Sequence, residues 1–327
     1  MRLNLGRLKI IPILQGGEQM TNKERIQENN AKIQECVDIA DQLPNAEDSE
    51  VKYEEGYNQG FADGKAEAQG RNPLAKVLNK TITEIKEEDL IGVTSIPASF
   101  FLDCTDLKSV KIPDSCTTFG ASSFKNCTAL ETVNIPNGTI TISSSMFQSC
   151  GKLTVVTLPE SVTTISAYGF QNCTSLKSIN LGNVTKFYSQ AFQNCALESI
   201  EINEAVTEIP SQCFQGNNLI SVTIPNAVKT LGTSCFSVNK FLKRLIVGSG
   251  INKLENGVFQ NCTSLEVIDF SSAKAVPTIT SYWGNFSGVP TTCKIVVPDS
   301  LYDTWINATN WSAVTQTFVK ASEYTGG

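Results

Sequence analysis

The chain has 327 residues, 41% hydrophobic and 18% charged, so it is long and apolar enough to bury a sizeable core. Its formal net charge of −6 supplies no electrostatic footprint for nucleic acid, and no apolar run approaches the roughly 20 residues of a membrane span. Histidine is absent, which removes His-based triads, His general bases and His-ligated metals, and the 11 cysteines contain no CxxC pair, which argues against thioredoxin-like and zinc-ribbon sites.

Residues 1 to 19 loosely imitate a secretion signal: Arg2, Arg7 and Lys9 precede the apolar stretch Ile10 to Leu14. Pro12 interrupts that stretch and no Ala-x-Ala site follows, so an unstructured or non-native extension is expected, with Met20 as an alternative start. Residues 20 to 75 are predicted to form a helical head and linker. Thr21 and Glu24 have capping-box spacing and open a helix that Pro44 ends after Leu43. Ile26, Ile33 and Ala40 recur every seven residues, as do Asn29, Cys36 and Leu43. The pattern reads as a weak coiled-coil seam, giving a homo-oligomer through residues 20 to 45, and nearly as well as a monomeric amphipathic helix.

Gly56, Gly60 and Gly64 then alternate with Tyr53, Tyr57 and Phe61 at a four-residue period. Each glycine costs a helix about 1 kcal/mol, so this segment needs close packing to be ordered. Residues 20 to 72 carry 6 basic and 12 acidic side chains, a charge that a solvated helix face explains. Asn72 and Pro73 mark the linker.

From residue 76 to 298 the chain is periodic. Phe101, Phe124, Phe147, Phe170, Phe192, Phe214, Phe236 and Phe259 are separated by 22 or 23 residues, and three positions after each stands Cys or Asn: Cys104, Cys127, Cys150, Cys173, Cys195, Asn217, Asn239 and Cys262. Apolar alternation such as Leu130, Val133, Ile135 reads as a short strand, and a second apolar pair such as Val162 and Ile165 precedes each Phe. One coil cannot bury such a stripe alone, but a stack of coils covers each stripe with the next. The predicted fold is an α+β repeat solenoid, a leucine-rich-repeat-like stack of about eight 22–23-residue coils with an N-terminal helical segment, roughly 38 Å long at strand spacing.

The Leu-x-x-Val-x-Ile strand, the Cys/Asn position and the period resemble leucine-rich repeats. The phrasing Ile-Pro-x-x-Val-Thr-x-Ile, then Phe-x-x-Cys-Thr-x-Leu, most closely resembles the BspA-type subfamily of bacterial surface and phage-encoded proteins. This resemblance covers residues 93 to 270, with Gly182, Asn203, Gly248 and Ser271 in place of the usual proline. It implies a protein-binding or adhesive scaffold. The head resembles segments of phage virion proteins, so a virion- or tail-associated protein contacting a host-surface protein or glycan is expected. A bacterial surface adhesin and a structural virion spacer are the alternatives.

Lys80 to Ile96 are predicted to cap the stack as a shortened coil built on Ile82, Ile85 and Leu90. Cys293 to Pro298 read as the last strand, and residues 299 to 327 as a helical cap and tail, with Trp305 and Trp311 on the covered face of an amphipathic helix. Tyr282, Trp283 and Phe286 break the repeat, either as an aromatic plug over the terminal coil, which is favoured, or as contact residues.

Candidate contacts are the outward strand residues Lys111, Asn134, Thr157, Asn180, Glu201, Thr223, Ile246 and Asp269, flanked by small polar residues such as Ser109, Ser178 and Ser199, together with Tyr282 and Trp283. No aromatic row is present for sugar stacking, which favours a protein partner over a glycan. Catalysis is not expected: carboxylates form no recurring pair and serines and cysteines have no visible base, so no cofactor or metal is assigned.

Overall fold

The computed structural model describes residues 82–326. The N-terminal extension, the helical head with its heptads and Gly56–Gly64 period, the linker, and Lys80 of the expected cap lie outside the described residues. Within them the chain is a parallel β solenoid, and each repeat crosses three sides of the stack.

The Leu-x-x-Val-x-Ile segments form the first side. Glu84–Ile85, Ser109–Val110, Thr132–Asn134 and Val155–Thr157 make one four-stranded parallel sheet; Ser221–Ile224, Arg244–Val247, Val267–Asp269, Lys294–Val297 and Thr317–Lys320 make a five-stranded one. The pairing is in phase with the repeat, so Val110, Val133 and Val156 lie in one column. Between the sheets, the levels of Ile179 and Ile200 keep their inward residues but form no strand. Here Glu198 N–H donates to Lys177 O at 3.0 Å and Ile220 N–H to Glu198 O at 3.3 Å. The interruption coincides with the shortened repeats, in which Cys195 to Leu197 and Asn217 to Leu219 each span one residue fewer than Cys173 to Leu176.

Two-residue strands, from Ser95–Ile96 to Thr278–Ile279, form the second side. The phenylalanines form the third. Ring centroids from Phe101 through Phe236 are 4.9 to 5.7 Å apart with interplanar angles of 15° or less, a continuous offset stack inside the core. Backbone hydrogen bonds set this spacing: Phe124 N–H donates to Met146 O at 3.0 Å and Phe147 N–H to Gly169 O at 2.9 Å.

The same side explains a column that sequence reading passed over. The residues two before and two after each Phe adopt left-handed backbone, among them Ser145, Ser149, Tyr168, Asn172, Gln190 and Asn194, and glycine takes the column at Gly216 (φ 68°) and Gly257 (φ 74°). Val238, at φ 62°, is the β-branched member of this column and carries the greatest steric cost there.

At the start of the described residues, Ile82, Ile85, Leu90 and Val93 are buried around a 3-10 turn at Glu87–Leu90. At the far end the structure differs from expectation in two ways. Cys293–Pro298 is not the last strand, because Thr317–Lys320 pairs in register with Lys294–Val297 and adds a further level. Nor is the cap one amphipathic helix: it consists of the 3-10 turn Asp299–Leu301, α-helical Tyr302–Ile306 and the 3-10 turn Trp311–Ala313. Breaking the helix lets Trp305 and Trp311 both reach Phe270, at 5.2 and 5.8 Å, while Trp311 Nε1 donates to Pro277 O at 2.7 Å.

Phe286 is the plug: it packs on Phe259 at 5.9 Å and Trp311 at 6.0 Å from the short helix Tyr282–Phe286. The adjoining Asn285 is fully buried and its Oδ1 accepts from Val258 N–H at 2.8 Å, so a side chain continues the coil-to-coil bonding where the helix removes the regular carbonyl. Helix among the described residues is confined to such short turns, so the α contribution expected for the fold is not a feature of the solenoid itself.

Phe170→Ala, which deletes a ring in mid-stack, is expected to lower stability by roughly 3–5 kcal/mol in denaturant titrations. Val238→Asn is expected to raise it by about 1 kcal/mol, since Asn accepts left-handed backbone more readily; an unchanged or lower melting temperature would show that the column is not strained there.

Candidate binding face

The outward positions of the first-side strands alternate with the core residues, which is why a row of polar side chains lies over an apolar floor. Lys111, Asn134, Thr157, Asn180, Glu201 and Thr223 are all exposed and stand in one column on successive levels. They are not equally free. Asn134 accepts from Ile112 N–H and donates to Ile112 O, each at 2.7 Å, so its amide extends the sheet; Asn180 Oδ1 accepts from Gly182 N–H at 2.9 Å and shapes its own turn. Lys177 and Glu198, neighbours along the row, pair at 3.3 Å as an exposed bridge of little energetic weight.

Two expected contacts depart from the row. Ile246 is half-buried and Asp269 is buried, only 9% exposed, with its Oδ2 at 3.4 Å from Arg244 and its Oδ1 accepting from Ser271 N–H at 3.0 Å. Asp269 is therefore committed to the fold and is not an exposed contact. Tyr282 and Trp283 are 37% and 69% exposed, but they stand on the phenylalanine side of the last levels, not on the strand face. The site residues thus divide between two sides of the molecule.

At its N-terminal end the face forms a groove of about 460 Å³, bounded by Glu87 of the capping turn and by Ser109, Lys111, Thr132 and Asn134, over a floor of Val110 and Val133. Its walls carry one acid and one base on opposite flanks. Further along, Val155 and Ile220 add exposed apolar side chains, 61% and 53% accessible, to the otherwise polar surface.

The cysteines lie behind this face and do not contribute to it. Ten are free and buried. From Cys127 onward the ladder thiols reach the carbonyl of the phenylalanine one level back: Cys127 to Phe101 O and Cys195 to Phe170 O at 3.0 Å, Cys150 to Phe124 O and Cys173 to Phe147 O at 3.1 Å. Asn217 and Asn239 make the same bond through Nδ2, at 2.8 and 2.9 Å, which explains why this position alternates between Cys and Asn. Burial pushes the thiols up, Cys116 to about 11 and Cys262 and Cys293 to about 12. Such thiols are neither nucleophiles nor ready metal ligands, and among the described residues no group of three or more His, Cys, Asp or Glu could hold a metal ion.

A second ladder went unread in the sequence although its signal, Gln one residue after Phe in four consecutive repeats, was present. Gln148, Gln171, Gln193 and Gln215 pass hydrogen bonds amide to amide along the stack, and Gln215 Nε2 ends the chain on Ser237 Oγ at 2.7 Å. It locks neighbouring levels in register beneath the surface and carries no exposed reactive group.

The comparisons with known proteins concern this repeat. The family described as BspA type leucine rich repeat region (6 copies) matches residues 94–220 and 185–304. No curated protein matches the sequence. Similar solved structures include a leucine rich cell surface protein from Faecalibacterium prausnitzii A2-165, 24% identical over 70% of this chain and 77% of its own, with a TM-score of 0.38. The pneumococcal vaccine antigen PcpA is 18% identical over 73% of this chain and 68% of its own, TM-score 0.48. A leucine-rich repeat protein from Bacteroides ovatus ATCC 8483 is 18% identical over 70% and 87%, TM-score 0.29.

Because folding raises the thiol pKa values, the sign of the pH dependence follows. The stability held by protonated thiols is complete below about pH 8.5, where unfolded cysteines begin to ionise, and is lost as pH rises toward the folded values near 11 to 12. Melting temperatures should therefore fall between pH 8.5 and 11. In parallel, iodoacetamide at pH 8 should leave the ten buried cysteines unlabelled until denaturant is added, and prompt labelling of Cys150 or Cys173 in the native protein would contradict the ladder.

Proposed function

Because the chain belongs to the BspA type leucine-rich repeat family, we propose that it is a non-enzymatic binding scaffold that presents the outward strand face to a macromolecular partner. One observation carries this reading: the equivalent outward positions of six successive levels all hold exposed Lys, Asn, Thr or Glu side chains. Rigid, evenly spaced polar groups above a buried core lose little freedom on binding, which suits them to a protein surface of matching spacing. Among the described residues no helix is long and apolar enough to cross a membrane.

The finer reading is a phage virion- or tail-associated protein that contacts a host-surface protein or glycan, with residues 20 to 45 setting a homo-oligomer. It is supported by the head's resemblance to segments of virion proteins. A bacterial cell-surface adhesin is the second reading, supported by membership of the BspA type repeat family. Detection of the protein in purified phage particles, against its labelling by an impermeant reagent on intact bacteria, separates the two.

The double variant Thr157→Arg, Ser199→Arg places two bulky cations on exposed positions of the face. It is expected to weaken binding of the labelled protein to a panel of intact bacterial cells by tenfold or more, with an unchanged melting temperature; undiminished binding would remove the strand face from the proposal. Light scattering should give an oligomer for residues 20–327 and a monomer for 76–327, and an oligomer surviving in the shorter chain would overturn the assignment to the head.

A further inference from the structure

The strand face changes character at its far end. Where earlier levels present Ser, Thr and Asn, the outward positions there are Arg244, Ile246, Val267, Asp269 and Val296. Val267, Asp269 and Val296 are buried although alternation aims them away from the core. The segment that follows strand Thr317–Lys320 returns to this face. It turns back through the 3-10 turn Ala321–Glu323, and the Tyr324 ring lies 5.8 Å from both Arg244 Cζ and Lys294 Nζ. Arg244 and Lys294 are the register partners on either side of Val267, so two cations from alternate strands both lie over the Tyr324 ring. Asp269 fixes Arg244 from below at 3.4 Å.

The floor and the occupant are built differently. The floor is three strands of a continuous ladder. The covering segment is held by Ser322, whose N–H donates to Asp299 Oδ1 at 3.0 Å and whose hydroxyl donates to Asp299 Oδ2, and by a long Tyr324 N–H bond to Ala321 O at 3.4 Å. A ring clasped between two cations over an apolar floor gains cation–π and burial energy that any tyrosine or phenylalanine could supply.

We propose that this end of the face is an aromatic-recognition subsite for extended peptide segments, and that Tyr324 is its internal occupant, displaced when a partner segment brings its own aromatic side chain. The inference rests on the reading of the strand face as the binding surface and names the chemistry that its far end takes. Tethering gives Tyr324 a local concentration on the order of 1 mM, so a free peptide competes poorly with it unless further contacts along the polar column add to its affinity.

The test uses the full chain with Tyr324→Ala, alongside wild type and Tyr324→Phe, and a fluorescein-labelled peptide copying residues 320–326 as probe. Fluorescence anisotropy should show saturable binding to Tyr324→Ala at least tenfold tighter than to wild type or Tyr324→Phe, both of which keep the subsite filled. Replacing the peptide's tyrosine by serine, or adding Lys294→Glu to the protein, should abolish it. Equal binding to all three chains, or none to a Tyr324→Ala chain that melts like wild type, would overturn the subsite. Such a failure is distinguishable from failure of the wider reading, because the Thr157→Arg, Ser199→Arg variant reports on the polar column alone.

Discussion

Neighbouring coils must lie one hydrogen-bond spacing apart on all three sides at once, and nearly every other feature of the molecule follows from that requirement. Strand spacing of about 4.8 Å is close to the separation at which offset aromatic rings stack, so one phenylalanine per coil fills a column without gaps. The same spacing brings a thiol at the Cys position within reach of the preceding phenylalanine carbonyl, and it lets glutamine amides join end to end. A column can be propagated only if each level offers the group that the next one needs. Cys and Asn alternate freely because both donate from a similar distance, whereas no large apolar residue stands at that position.

Where the repeat shortens, the constraint becomes visible. Between Cys195 and Leu219 the turn residues are too few to keep the first-side strands in regular pairing, so the ladder opens at Ile179 and Ile200 while the phenylalanine side continues without a break. The stack tolerates local loss of strand on one side because the other two sides carry the register. Closure at the ends uses different chemistry: Asn285, Asn310, Trp311 and Gln316 donate or accept through side chains where no further coil exists to complete the backbone bonds.

The surface that remains is correspondingly simple. Residues committed to columns cannot vary without cost to the neighbouring levels, so freedom is confined to outward strand positions and turns. That freedom is used unevenly. The six levels from Lys111 to Thr223 stay mostly polar and open, with a groove lined by Glu87 and Lys111, while the last levels turn apolar and meet the chain's own Tyr324 at Arg244 and Lys294.

The period of Phe101 through Phe259, the Cys/Asn position and the alternation of Leu130, Val133 and Ile135 were enough to determine a solenoid, its inward residues and the side on which Lys111 through Thr223 stand, because these follow from a local spacing that recurs at every level within one residue. The column of outward residues was legible for the same reason. Asp269 was not: its place in the repeat is outward, yet it is buried where it meets Arg244 and the backbone of Ser271. The final strand Thr317–Lys320 and the broken cap were hidden too, since they match no repeat and are decided by what fits over Phe270 and Phe286. Local periodicity dictates how a coil lies on its neighbour, but where the stack ends there is no neighbour to copy, and long-range packing of unique residues makes the choice.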